Sequence, residues 1–137
     1  MLNLPCLVFV LALQLTAALT VTTDSSNSDN GAALAADGNT ATFWHSQYSP
    51  TVAALPHWAI VDLGTSSFVN GFNYLPRQDG TLNGNIGEYT LEISTSGSSW
   101  ITVASGTFVD DNSKKYIGFT ATNTSEYKHI PQMIFTH

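Results

Sequence analysis

The stretch Glu88-Tyr89-Thr90-Leu91-Glu92-Ile93-Ser94 alternates polar and apolar side chains residue by residue. An extended chain sends successive side chains to opposite faces, so Tyr89, Leu91 and Ile93 define one face of a half-buried strand. Similar short signals recur along the chain. His57-Trp58-Ala59-Ile60-Val61-Asp62-Leu63 reads as a strand buried on both faces, and Phe68, Phe72 and Tyr74 share parity in the next one. Ser96-Gly97-Ser98-Ser99 forms a hairpin turn into Trp100-Ile101-Thr102-Val103-Ala104. Ser105-Gly106 is expected to end that strand, with a short return at Thr107-Phe108-Val109. Lys115, Ile117 and Phe119 alternate with Tyr116, Gly118 and Thr120, and a last strand opens at Tyr127-Lys128-His129-Ile130. No helical period of useful length occurs, and Ala32-Ala33-Leu34-Ala35-Ala36 is long enough only for a single turn. Roughly six to eight short strands with regular turn spacing predict one all-β domain, a sandwich or jelly roll without internal repeats.

Composition narrows the partners. Ten acidic and four basic side chains give a formal charge of −6 over 137 residues. Such a surface repels nucleic-acid phosphates and anionic membranes, so neither is an expected partner. The apolar run Leu7 to Leu13 continues to Thr20 through small residues. It is short for a membrane span and reads as a secretory signal peptide over residues 1–20, cut after Ala18 or Thr20. The expected product is secreted and extracellular, a monomer or a module of a larger protein. Cys6 is the single cysteine and lies inside that signal, so thiol catalysis and thiolate metal sites are excluded from the mature domain. Asn123-Thr124-Ser125 is a glycosylation sequon. Residues 21–31 are rich in Ser, Thr, Asn and Asp and read as a flexible arm or an edge strand, leaving residues 32–137 as the domain.

The sole arginine, Arg77, lies in the loop Leu75 to Gly87 among three glycines, two asparagines and a proline. It is either a positioned binding group or a surface cation paired with Asp79. Asp37-Gly38-Asn39-Thr40-Ala41-Thr42 is a turn whose oxygens suit a hard cation such as Ca²⁺, although composition alone favours an Asx-turn. No metal-ligand histidine spacing, nucleophile elbow or phosphate loop occurs. Asp62 with His45 is the strongest hydrolase pairing available, and Asp62 reads better as a turn anchor. Binding is better supported. Arg77 can fork onto vicinal hydroxyls, Asn83 and His45 each offer donor and acceptor groups, and Tyr48 offers an aromatic face. These groups suit a sugar if their loops meet.

The motifs Asp37-Gly38-Asn39 through His45, Pro56 to Gly64, Tyr74 to Gly80 and Ile93 to Trp100, in this order, resemble the discoidin domain of the coagulation factor 5/8 type C family. The similarity is greatest to family 32 carbohydrate-binding modules, including the one at the front of fungal galactose oxidase. The resemblance implies an eight-stranded jelly-roll sandwich of galactose-binding-like fold. It implies a galactose-type site at His45, Tyr48, Arg77 and Asn83, without catalysis. It also implies a structural Ca²⁺ held by the side chains of Asp37 and Thr42 and the carbonyls of Leu34, Asn39 and Thr42. The chain departs from the family pattern at Pro131, after which no acidic calcium ligand follows. The expectation is a truncated or mis-spliced end with an incomplete metal site. An adhesion or membrane-surface role through Val52 and Leu55 is the alternative reading.

Overall fold

Seven strands build the described part of the protein, seen in a computed structural model that describes residues 19–64, 68–120 and 132–136. They are β1 (Thr20–Thr23), β2 (His57–Asp62), β3 (Gly71–Tyr74), β4 (Glu88–Ile93), β5 (Ile101–Thr107), β6 (Lys115–Gly118) and β7 (Gln132–Thr136). One sheet has the order β1-β2-β7-β4-β5, all neighbours antiparallel, and β3 pairs with β6 in the other. The apolar faces meet between the two sheets. Ala59 and Val61 from β2, Leu91 from β4, Phe72 and Tyr74 from β3 and Ile117 from β6 are buried in one cluster with Trp44, Leu63 and Ile86. Tyr74 keeps its hydroxyl satisfied there by accepting the Ile86 amide at 3.0 Å. Burial raises the pKa of that phenol well above its ordinary value.

Several strands differ in detail from the expectation. In β2 only His57, Ala59 and Val61 are buried, and Trp58, Ile60 and Asp62 are half-buried. The strand therefore alternates, because its outer face is only partly covered. Phe68 precedes β3 and is exposed, so shared parity did not place it in the core. Ser105 and Gly106 continue β5 rather than ending it, since the ring of Tyr89 crosses the chain there. A Cβ on Gly106 would lie 3.0 Å from the Tyr89 hydroxyl. That ring stacks on Phe108 at 4.3 Å between centroids. A register shift between Leu91 and Glu92 accommodates the irregular edge. At the C-terminal side, β7 begins at Gln132 and fills the gap between β2 and β4. Residues 132–136 thus pair as a strand after Pro131, where the chain departs from the family pattern. Tyr127 to Pro131, the sequon asparagine Asn123 and residues 1–18 lie outside the described residues.

Of the segment 21–31, read as an arm or edge strand, residues 21–23 lie in the edge strand β1, and the residue after it is firmly tied. Asp24 accepts the backbone amide of Trp58 at 2.9 Å through Oδ1 and pairs with His57 Nδ1 at 2.7 Å through Oδ2. Both donors sit where water is scarce, so removing the carboxylate strands them. Asp24→Ala is expected to lower unfolding stability by about 3 kcal/mol, with Asp24→Asn losing less because one acceptor survives. Urea denaturation at constant m-value measures both.

Candidate functional site

The strand register gathers the end of β1, the start of β2, the end of β7 and the start of β4 at one end of the sandwich. The irregular segments 24–56 and 75–87 leave from that end. Residues 43–49 form no helix or strand. Their backbone is held by the N-terminal segment instead. Asn27 N donates to His45 O at 2.9 Å and His45 N to Asn30 O at 3.2 Å. Asn30 Nδ2 donates to Phe43 O at 3.3 Å, and Ser49 N to Asn27 Oδ1 at 3.3 Å. Trp44 is the apolar anchor, buried in the core, with its indole N–H donated to Ser25 O at 2.9 Å. Its neighbour Phe43 faces the other way, beneath Arg77.

Across from this wall, the 75–87 loop turns back on itself at Gly80 and Gly84, whose φ angles of 84° and 85° lie in the left-handed region. Asp79 organises the loop. Its Oδ1 accepts from Arg77 Nε at 2.6 Å, from Thr81 N at 3.2 Å and from the Thr81 hydroxyl at 3.1 Å. Its Oδ2 accepts from Arg77 Nη2. Arg77 Nη1 donates to Asn83 O at 3.1 Å, and the guanidinium carbon lies 4.7 Å from the Phe43 ring centroid. A guanidinium has five N–H donors, and these three bonds leave two for a ligand. The hydrogen bonds from Arg77 hold the Asp79 carboxyl well below the usual carboxylate range. Arg77 is therefore paired with Asp79, and the pairing fixes it in place.

His45 is buried and its Nδ1 bonds to Ser46 O at 2.8 Å. Since a carbonyl only accepts, Nδ1 carries the proton and Nε2 is the acceptor of the neutral ring. Burial lowers the His45 pKa below 6.5. The Ser46 carbonyl opposes this, and the positive charge of Arg77 adds slightly to it. Tyr48 is half exposed and packs against the imidazole at 4.7 Å with a 60° tilt. All four residues singled out from sequence, His45, Tyr48, Arg77 and Asn83, line one open cleft of about 340 Å³. Asn30, Phe43 and Thr81 complete it. Phe43 had a signal, because two adjacent bulky residues in an extended chain cannot both enter the core. Asn30 and Thr81 had none. The cleft offers fixed donors, an imidazole acceptor and an aromatic edge. Its cation is neutralised by Asp79, which suits an uncharged polyhydroxyl ligand.

Asp62 does not belong to this site. It ends β2 opposite Thr20, about 16 Å from His57 at the strand rise of 3.3 Å per residue, and accepts the Gly64 amide at 2.8 Å as a turn anchor. The Asp37 loop is closed on itself. Oδ1 accepts Asn39 N at 2.8 Å, Oδ2 accepts the Thr42 hydroxyl at 2.6 Å, and Asn39 O accepts Thr42 N at 3.3 Å. Hard oxygen donors are present, with Leu34 in the adjoining 3-10 turn Ala32–Ala35. Yet among the described residues no three His, Cys, Asp or Glu side chains gather to hold a metal. Asp37 Oδ2 and Asn39 O both lie at the Thr42 hydroxyl, so a carboxylate, a hydroxyl and a carbonyl converge there, the kind of oxygen donors a hard cation takes.

The comparisons agree with this architecture. The model of the F5/8 type C domain matches residues 19–132, and the chain belongs to that family. It is 43% identical over 101 residues to galactose oxidase of Gibberella zeae, covering 72% of this chain but only 15% of that enzyme. Among solved structures, the module CpGH89CBM32-5 from Clostridium perfringens, in complex with GalNAc-β-1,3-galactose, superposes with a TM-score of 0.78 at 33% identity. The alignment covers 87% of this chain and 84% of that one. The family 32 module of Clostridium perfringens NanJ, in complex with galactose, gives a TM-score of 0.72 at 27% identity, covering 85% and 80%. The fold is thus the galactose-binding-like β-sandwich.

The His45 environment makes a measurable demand. A ring with a lowered pKa stays neutral as pH falls through the ordinary histidine range and protonates only below it. The NMR titration midpoint of His45 is expected below 6.5, rising in Arg77→Ala without returning to 6.5, because burial is the larger cause.

Proposed function

We propose that the protein is a secreted, non-catalytic carbohydrate-binding module whose cleft takes galactose-type sugars. One observation carries this reading. Arg77, clamped between Asp79, Asn83 O and Phe43, faces the same cleft as His45, Tyr48 and Asn83. The complexes of the two Clostridium perfringens modules with GalNAc-β-1,3-galactose and galactose support the choice of sugar. The turn role of Asp62 supports the absence of catalysis. Export rests on the apolar leader. A cut after Ala18 leaves β1 and the adjoining Leu19, which packs against the core, on the mature chain.

Arg77→Ala removes two charge-assisted donors without touching the core. Each such bond contributes about 1.5–3 kcal/mol, so galactose affinity is expected to fall by about 100-fold or more in calorimetry. Unchanged affinity would refute the site. Binding of the wild type to neutral liposomes but to no glycan on an array would favour the surface-adhesion reading through Val52 and Leu55, which are both exposed.

A structural Ca²⁺ at Asp37, Thr42 and the carbonyls of Leu34, Asn39 and Thr42 is a separate proposal. A bound ion stabilises by mass action, so chelation is expected to lower Tm and calcium to restore it. An unchanged Tm would mean that the loop's own hydrogen bonds suffice.

A further inference from the structure

Asparagine followed by glycine occurs three times in the chain, at Asn30-Gly31, Asn70-Gly71 and Asn83-Gly84. The pair has a chemistry of its own. The glycine backbone nitrogen can attack the asparagine side-chain carbonyl carbon, because no Cβ shields it. A cyclic imide forms and ammonia leaves. Water then opens the imide at either carbonyl. One product is aspartate, and the other is isoaspartate, in which the main chain runs through the former side chain. No oxidant, reductant or further reactant enters. The demand is conformational, since ψ of the asparagine must turn until the glycine nitrogen meets the side chain.

The fold treats the three pairs differently. Asn30 is half-buried and held at both ends, its Nδ2 donating to Phe43 O and its carbonyl accepting His45 N. Asn70 is exposed, but its carbonyl accepts Phe119 N at 3.0 Å. Gly71 opens β3 beneath the Tyr116 ring, where a Cβ would lie 2.6 Å from the Tyr116 hydroxyl. Extended backbone locked in this way cannot turn. Asn83 is exposed, and its side-chain amide has no hydrogen-bond partner among the described residues. Asn85 N donates to Leu82 O at 3.0 Å, so Asn83 and Gly84 are the two central residues of a turn. The peptide joining them can flip, because Gly84, now at φ 85°, takes either sign of φ at little cost. The Asn83 carbonyl is held by a side chain, through Arg77 Nη1, and not by a strand ladder.

We propose that Asn83 is a site of spontaneous deamidation that ages the cleft. Conversion sets a carboxylate in a cleft whose arginine is already paired with Asp79. In the isoaspartyl form the added backbone carbon displaces the carbonyl that helps to fix Arg77. The loss of ligand grip rests on the sugar-binding reading of the cleft, and the modification does not.

The test is incubation of the folded protein in mildly alkaline buffer, with a guanidinium-unfolded sample alongside. Peptide mass spectrometry follows the exchange of amide for carboxyl at each pair, and enzymatic isoaspartyl methylation reports the imide route. In the folded protein Asn83 is expected to convert at least about tenfold faster than Asn30 or Asn70, because ordered backbone must open before it reacts. Unfolding is expected to abolish that difference, and isoaspartate is expected at position 83. Anion exchange then isolates the converted fraction. Its galactose affinity is expected to be about tenfold lower by calorimetry, the loss of one hydrogen bond to a charged group, with Tm unchanged. An Asn83 amide that persists while the unfolded chain converts overturns the proposal. Equal conversion at the three pairs in the folded protein, or equal galactose affinity of the two fractions, overturns it as well. If Asn83 converts and neither fraction binds galactose, the sugar reading falls and the modification stands.

Discussion

The cleft end of this protein depends on hydrogen bonds between two irregular stretches about 20 residues apart. Neither 24–30 nor 43–49 has a ladder of its own. Each satisfies the other: main-chain bonds join Asn27 and Asn30 to His45, side-chain amides reach Phe43 O and Ser49 N, and Trp44 docks on Ser25. Backbone groups left unpaired near a core are costly, so this reciprocal pairing sets the shape of the wall that carries His45 and Tyr48. Asp24 then fastens the pair to the first residues of β2. A domain without disulfides obtains from asparagine, serine and aspartate the cross-links that many small secreted proteins obtain from cysteine.

The opposite wall obeys another rule. Loop 75–87 is organised from within, by Asp79 accepting from Arg77 and Thr81. The two walls meet where the Arg77 guanidinium lies over Phe43. An arginine fixed on three sides has little freedom left to lose, which is the condition for affinity through preorganisation rather than contact area. Its partner carboxylate also removes the net charge that would otherwise select acidic ligands.

How much of this was legible in the sequence varies with the kind of signal. The alternation at Tyr89, Leu91 and Ile93 was decisive for a β-sandwich, because period two survives any packing detail. Arg77, His45, Tyr48 and Asn83 were legible as candidate ligand groups by chemistry and loop composition. What was hidden depends on long-range partners. A stretch rich in Ser, Thr, Asn and Asp reads the same whether its side chains face water or bond a distant backbone, so residues 24–30 resembled an arm. Gly106 resembled a strand break because nothing local announces that Tyr89 will cross it. Phe68 had the right parity but lies ahead of its strand. At Gln132–Thr136, pairing is dictated by β2 and β4 on either side, and the preceding proline obscured it.

The position of β7 has a consequence for how the chain comes into being. Gln132–Thr136 is the last described strand in sequence, yet it fills the middle of the five-stranded sheet, between β2 and β4. These two strands have no direct ladder with each other, so the sheet stays in two halves, β1-β2 and β4-β5, until β7 arrives. Pairing of this kind is non-local and slow, and it cannot start while the C-terminal residues are still being synthesised. A chain built this way completes its larger sheet only after Gln132–Thr136 has been made.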